Sequence, residues 1–260
     1  MKYEDFLLFR SIKGLLLTCL LISSSACTPV ELVWVVDASG TITEEDHERS
    51  KKFISTIQTK IGMKDNGNKA AAVTYGKDAY YQIKCSDYDN VYDFKSYVAK
   101  MKRYPRERTN TRDGLEKGHE LLTSHGCGEN EKAQKIIVLL TDGLANAGKG
   151  GEKGLIEAAK HIQDKGIKIL VVAIGKFSDH QLKKMVDEKY IHKTKLVGDD
   201  KFASLNNEDF VHQIKEAICG SVKPTKGKYF LLFLILNSRS VIGHSNHQNS
   251  TSTINNNTLL

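Results

Sequence analysis

The chain is short of the residues that punctuate or staple small modules. Only 3 prolines and 20 glycines stand among 260 residues, so it is neither a linker-rich mosaic nor collagenous. Five cysteines are too few for a disulfide-dense mini-scaffold. The apolar runs at Leu15–Ile22 and Tyr229–Leu236 both fall short of the roughly 20 residues that span a bilayer. No Gly-x-Ser-x-Gly elbow occurs, and His47, His119, His125 and His161 have no Ser or Cys partner at a fixed spacing. Nothing therefore predicts an enzyme. What is present is ordinary globular stock: 40% hydrophobic and 27% charged residues, which argues against disorder throughout.

The net charge of +7 would by itself suggest nucleic acid or an anionic surface. It sits mostly at the ends. Residues 1–26 carry +1 and residues 221–260 carry +4, from Lys223, Lys226, Lys228 and Arg239. The middle keeps little excess, so no nucleic-acid partner is expected. Lys2, Arg10 and Lys13 precede the first apolar run, and Ser24 and Ala26 close it in a small-x-small pattern, the signature of a secretory signal over residues 1–26. A lipoprotein signal would need a bulky aliphatic residue three before Cys27, where Ser24 stands. Residues 27–220 form the predicted domain. Residues 221–260 form a basic tail rich in Asn, Ser and Thr, which is expected to be disordered because it lacks packing periodicity. Its triplets Asn249-Ser250-Thr251 and Asn256-Asn257-Thr258 are glycosylation sequons. Secretion leaves Cys27, Cys85, Cys127 and Cys219, an even set that suggests two disulfides with three pairings open.

Strand and helix signals alternate through the middle. Leu32–Val36, Ala70–Tyr75, Ile136–Leu140 and Ile167–Ile174 are apolar runs rich in β-branched residues, as expected of strands buried on both faces. Gly76-Lys77-Asp78 turns the second of these into a hairpin with Ala79–Ile83, and Lys195–Val197 reads as a short last strand. Helical spacing marks Thr43–Ile61, Val91–Met101, Thr111–Thr123, Leu155–Ile162, Leu182–Val186 and Glu208–Ile218. Thr43 and Asp46 form an N-terminal capping arrangement for the first helix. The pattern predicts an α/β fold: a doubly wound, mostly parallel six-stranded sheet with helices on both faces and Ala79–Ile83 as an antiparallel edge. In such sheets ligands bind outside the carboxyl ends of the strands.

Three polar segments should meet there. The first strand ends in Asp37-Ala38-Ser39-Gly40-Thr41, a later one in Thr141-Asp142-Gly143, and Arg108-Thr109-Asn110-Thr111 precedes a helix. They supply two carboxylates and several hydroxyls, without His or Cys. Such hard oxygen donors suit Mg²⁺, Mn²⁺ or Ca²⁺ and not Zn²⁺. Two carboxylates neutralise only the ion's own charge, so an open position could accept an acidic group from a partner.

In order and strand context, Asp37-x-Ser39-x-Thr41, then Thr109, then Asp142 resembles the metal-ion-dependent adhesion site of the von Willebrand factor A domain family, which includes the inserted domains of integrins. The likeness runs from residue 30 to 219. It implies metal binding by Ser39, Thr41 and Thr109 directly and by Asp37 and Asp142 directly or through water. Thr41 stands where the family usually has Ser, and Glu107-Arg108 where small residues are common. The resemblance implies a secreted adhesion domain whose partner is a matrix or cell-surface protein with an acidic contact residue, steered by Arg106 and Arg108. A narrower likeness, to the A domains of thrombospondin-related adhesive proteins of invasive parasites, rests on Arg108-Thr109-Asn110-Thr111 and the Lys- and Asn-rich composition. The competing reading is a structural domain of the same fold without metal dependence. A further motif, Gly143 to Lys149, matches the core of a phosphate loop, but Gly150 occupies the position that would need Ser or Thr. On the expected topology Cys27, Cys219, Cys85 and Cys127 all fall at the sheet end opposite the site. This predicts Cys27–Cys219 and Cys85–Cys127 bridges.

Overall fold

A computed structural model describes residues 27, 29–63, 67–104, 108–124, 126–143, 148–175, 179–195 and 200–220, and these belong to one compact unit. The expected leader and tail, and Arg106, lie outside the described residues. The elements run β1 (Val30–Asp37), α1 (Glu44–Ile61), β2 (Lys69–Tyr75), β3 (Ala79–Ile83), α2 (Val91–Ala99), α3 (Thr111–Thr123), β4 (Gln134–Thr141), α4 (Gly151–Asp164), β5 (Lys168–Ala173), α5 (Asp179–Met185), a 3₁₀ turn (Glu188–Tyr190), β6 (Ile191–Lys193) and α6 (Glu208–Cys219). They form one six-stranded sheet in the order β3-β2-β1-β4-β5-β6. β3 runs antiparallel to β2 and the other neighbours pair in parallel. This is the expected fold class.

The alternation of side chains along β1 assigns each face its core. Leu32, Trp34 and Val36 pack against Phe53, Ile54 and Ile57 of α1, Phe94 and Val98 of α2, and Ile214 and Ile218 of α6. Val33 and Val35 face Leu115 and Leu122 of α3, Leu155 and Ile162 of α4, and Leu182 of α5. Every residue of β1 is buried, as a central strand covered by helices on both sides requires. α3 comes unusually close. A β-carbon added at Gly118 would lie 2.8 Å from Val35 Cγ2, so glycine there sets the helix–sheet spacing.

Local chemistry fixes the ends of the elements. Thr43 accepts from the Asp46 N–H at 3.1 Å, capping α1, and Asn110 accepts from the Asp113 N–H at 3.3 Å, capping α3. Cys27 bonds Cys219, with Cα atoms 4.6 Å apart, and Cys85 bonds Cys127, at 5.3 Å. These join the start of β1 to the end of α6, and the end of β3 to the loop after α3. One element departs from expectation. The last described strand is Ile191–Lys193; of the expected Lys195–Val197, Lys195 is outside any strand, and Leu196 and Val197 lie outside the described residues. The 3₁₀ turn delivers the chain to β5 at Ile191, so Ile191–Lys193 takes the pairing with Val171–Ala173. Among the described residues, no helix is long and apolar enough to cross a membrane.

Candidate metal centre

Parallel pairing of β1 with β2 and β4 carries their last residues to one edge of the sheet. Asp37, at the end of β1, is only 3% exposed. It accepts the Ser39 N–H at 2.9 Å on Oδ1, and the hydroxyls of Thr141 and Tyr75 at 3.1 and 3.3 Å on Oδ2. All of these partners are neutral. Burial pushes the Asp37 carboxyl up to about 6, and the nearby Asp142 pushes the same way. The hydrogen bonds from Ser39 and Thr141 only partly offset this. The Tyr75 phenol is raised well above its ordinary value, first by burial and then by the Asp37 charge.

The turn after β1 brings the other donors round. Ile42 N–H donates to Ser39 O at 3.1 Å, closing a turn with Ser39 buried and Thr41 exposed. The Ser39 and Thr41 hydroxyls lie 3.2 Å apart, and Thr41 Oγ1 donates to Asp142 Oδ1 at 3.0 Å. Ser39, Thr41 and Asp142 are thus in contact although 101 residues separate the last two. Thr109 is buried in the loop just before α3. The next residue, Asn110, donates its N–H to Gly76 O at 2.7 Å. A β-carbon on Gly76 would sit 3.6 Å from Ser39 Cα. The loop bearing Thr109 is therefore one backbone layer from Ser39. Arg108 is exposed. A crevice beneath is lined by Asp37, Thr141 and Asp142 together with Ile42, Leu140, Ile174 and Phe202, and this apolar floor makes an uncompensated charge costly.

One site residue was not legible in the sequence. The Lys201 ammonium hydrogen-bonds Asp142 Oδ2. Lys201 follows the short edge strand by several residues, and no motif singles it out among 38 basic residues. The segment carrying it is anchored to α1: Arg49 Nη1 donates to Asp200 Oδ1 and Oδ2 at 2.8 and 2.6 Å.

Among the described residues no group of three or more His, Cys, Asp or Glu is arranged to hold a metal ion. The donor set is of another kind, two carboxylates with neighbouring hydroxyls. It fits a hard cation: Asp37 is buried with neutral partners, and the single ammonium on Asp142 leaves one of two negative charges uncompensated. The phosphate-loop motif falls mainly outside the described residues. Lys149 O accepts from Arg112 Nη1 at 2.8 Å, and α4 begins only at Gly151.

A family model, von Willebrand factor type A domain, matches residues 31–214. The chain belongs to this family. Among relatives of this von Willebrand A domain, mouse (Mus musculus) collagen alpha-5(VI) chain is 25% identical over 226 residues, 85% of this chain and 8% of the relative. Chicken (Gallus gallus) matrilin-1 is 24% identical over 216 residues, 83% of this chain and 42% of that protein. The chain spans less than half the length of these relatives. Among solved structures, proximal thread matrix protein 1 from the mussel byssus, with a zinc-occupied MIDAS motif, superposes with a TM-score of 0.61 at 21% identity, covering 75% of this chain and 46% of that one. The manganese-loaded Plasmodium vivax TRAP protein gives 0.52 at 17%, covering 65% and 70%. At these identities the likeness carries the fold.

Proposed function

We propose that this A domain is an extracellular adhesion module. It binds a divalent cation through Asp37, Ser39, Thr41, Thr109 and Asp142, and engages an acidic group of a matrix or cell-surface protein through that ion. The observation that carries the reading is the convergence of two buried carboxylates and the Ser39 and Thr41 hydroxyls at the carboxyl ends of β1 and β4, with Asp37 lacking a cationic partner among the groups that bond it. A bound ion would supply the missing positive charge and a coordination position for an incoming carboxylate. The oxygen set favours Mg²⁺, with Mn²⁺ and Ca²⁺ as related hard ions. The residues of this chain orient that chemistry. Ser39 N–H and Thr141 hold the Asp37 carboxylate, Thr41 holds Asp142, and exposed Arg108, with Arg106, would steer an acidic partner.

Support for placement outside the cell comes from the collagen and matrilin relatives and from two cysteine bridges, which persist in oxidising compartments. Residues 1–26 would then be the export signal. Zinc and manganese in the neighbouring structures support a cation at the corresponding edge. Titration calorimetry with Mg²⁺ and Mn²⁺ tests the reading. Wild type should bind one ion and Asp142→Ala should not. Equal heats in the two proteins would favour a structural domain without metal dependence.

A further inference from the structure

We infer that Lys201 is a tethered cation that competes with the divalent ion for Asp142 and so lowers the affinity of the site. The inference rests on the metal reading above. The Lys201 ammonium bonds Oδ2 of a carboxylate whose Oδ1 is already taken by the Thr41 hydroxyl. Both oxygens of Asp142 are therefore engaged, and a metal that bonds this group directly must displace one partner. Oδ1 carries a hydroxyl of the same donor set. The partner to be displaced is the ammonium.

The lysine is held in place by more than its charge. Asp200, its neighbour on one side, is clamped by Arg49 and accepts the Phe202 N–H at 2.9 Å. Phe202, on the other side, is 1% exposed in the core. The Lys201 carbonyl accepts from Thr194 Oγ1 at 3.3 Å. Its stem crosses Gly175, which has φ of 82° and where an added β-carbon would come within 2.8 Å of Lys201 Cβ. A lysine fixed at both neighbours loses little further freedom in making the ion pair, the usual discount on such contacts. Its side chain is 31% exposed while that of Asp142 is 3%, so the ammonium lies on the solvent side and can leave without disturbing the buried carboxylate. With a divalent ion on Asp142, like-charge repulsion would drive it out.

The consequence is a site whose affinity is set by an internal competitor. Calorimetric titration of the full chain with Mg²⁺ compares wild type, Lys201→Met and Lys201→Arg. Lys201→Met, which keeps the stem and removes the charge, should bind on the order of tenfold tighter, within the span of typical coupling between sites. Lys201→Arg should stay near wild type. Equal or weaker binding by Lys201→Met overturns the inference and leaves the metal reading standing. No binding by any of the three overturns both. A second measurement is independent of any variant. In wild type with labelled lysine, the Lys201 side-chain resonance should shift with Mg²⁺ and saturate at the same concentration as the calorimetric signal. A resonance that stays put while the ion binds overturns the inference.

Discussion

Replacing Asp37 with asparagine should stabilise the metal-free domain and abolish its response to divalent cations. The carboxyl ionises near 3.8 when unperturbed and near 6 in the fold. A difference of about two pH units, at about 1.36 kcal/mol each, makes the ionised form cost about 3 kcal/mol at neutral pH. Asparagine removes that charge and keeps an oxygen for the Ser39 N–H. Its amide nitrogen, however, meets the hydroxyls of Tyr75 and Thr141, which now donate to Asp37 Oδ2 and must turn to accept. Allowing about 1–2 kcal/mol for that rearrangement, the net gain is about 1–2 kcal/mol, or roughly 3–6 °C in melting temperature for a domain of this size. The sign also depends on pH. Because the folded group holds its proton more tightly than the unfolded one, wild-type stability in chelator declines as pH rises from about 3.8 to about 6. The gap between variant and wild type should therefore open across that window and close below it. Thermal melts in EDTA at pH 7.5 and pH 4, repeated with Mg²⁺, read all of this. The reasoning fails if the variant is no more stable than wild type in EDTA at pH 7.5, or if Mg²⁺ still raises its melting temperature.

Other consequences are simpler to check. Gly118→Ala places a methyl against Val35 Cγ2 and should cost about 1–3 kcal/mol by overpacking, measured by urea denaturation. The Cys27–Cys219 bridge spans 192 residues and Cys85–Cys127 spans 42. In the chain-entropy account, serine replacement of the first pair should cost about 1.4 kcal/mol more than replacement of the second. The buried His47 ring donates toward Met101 O, and burial holds its pKa below 6.5. Its contribution is thus present above about pH 6.5 and lost as pH falls below that value. The slope of stability between pH 7 and 5.5 should flatten in His47→Gln. ATP should leave the melting temperature unchanged, and a rise abolished by Lys149→Ala would revive the phosphate-loop reading.

The parts of this fold that the sequence displayed were those with strong local signals. Ala79–Ile83 and Thr111–Thr123 match their elements residue for residue, the first bounded by a glycine turn and the second marked by apolar residues at helical spacing. The edge strand β6 gave no signal of its own, because a strand of two half-buried residues and one exposed residue carries no periodicity, and its position is set by the turn that precedes it and by pairing with β5. The polar strand ends were legible because Asp37, Ser39, Thr41 and Asp142 follow apolar runs, and the topology determines where such runs finish. Lys201 was not. Its contact with Asp142 spans 59 residues and depends on the Arg49–Asp200 clamp and on Gly175, which leave no pattern in the chain.

The central claim is tested most directly by where a heavy cation settles. Crystals of the full chain grown with Mn²⁺ and measured at a wavelength where manganese scatters anomalously should show a single strong peak among Asp37, Ser39, Thr41, Thr109 and Asp142. A well-ordered edge without that peak at saturating Mn²⁺, or manganese bound only elsewhere on the molecule, would contradict cation-dependent adhesion by this domain.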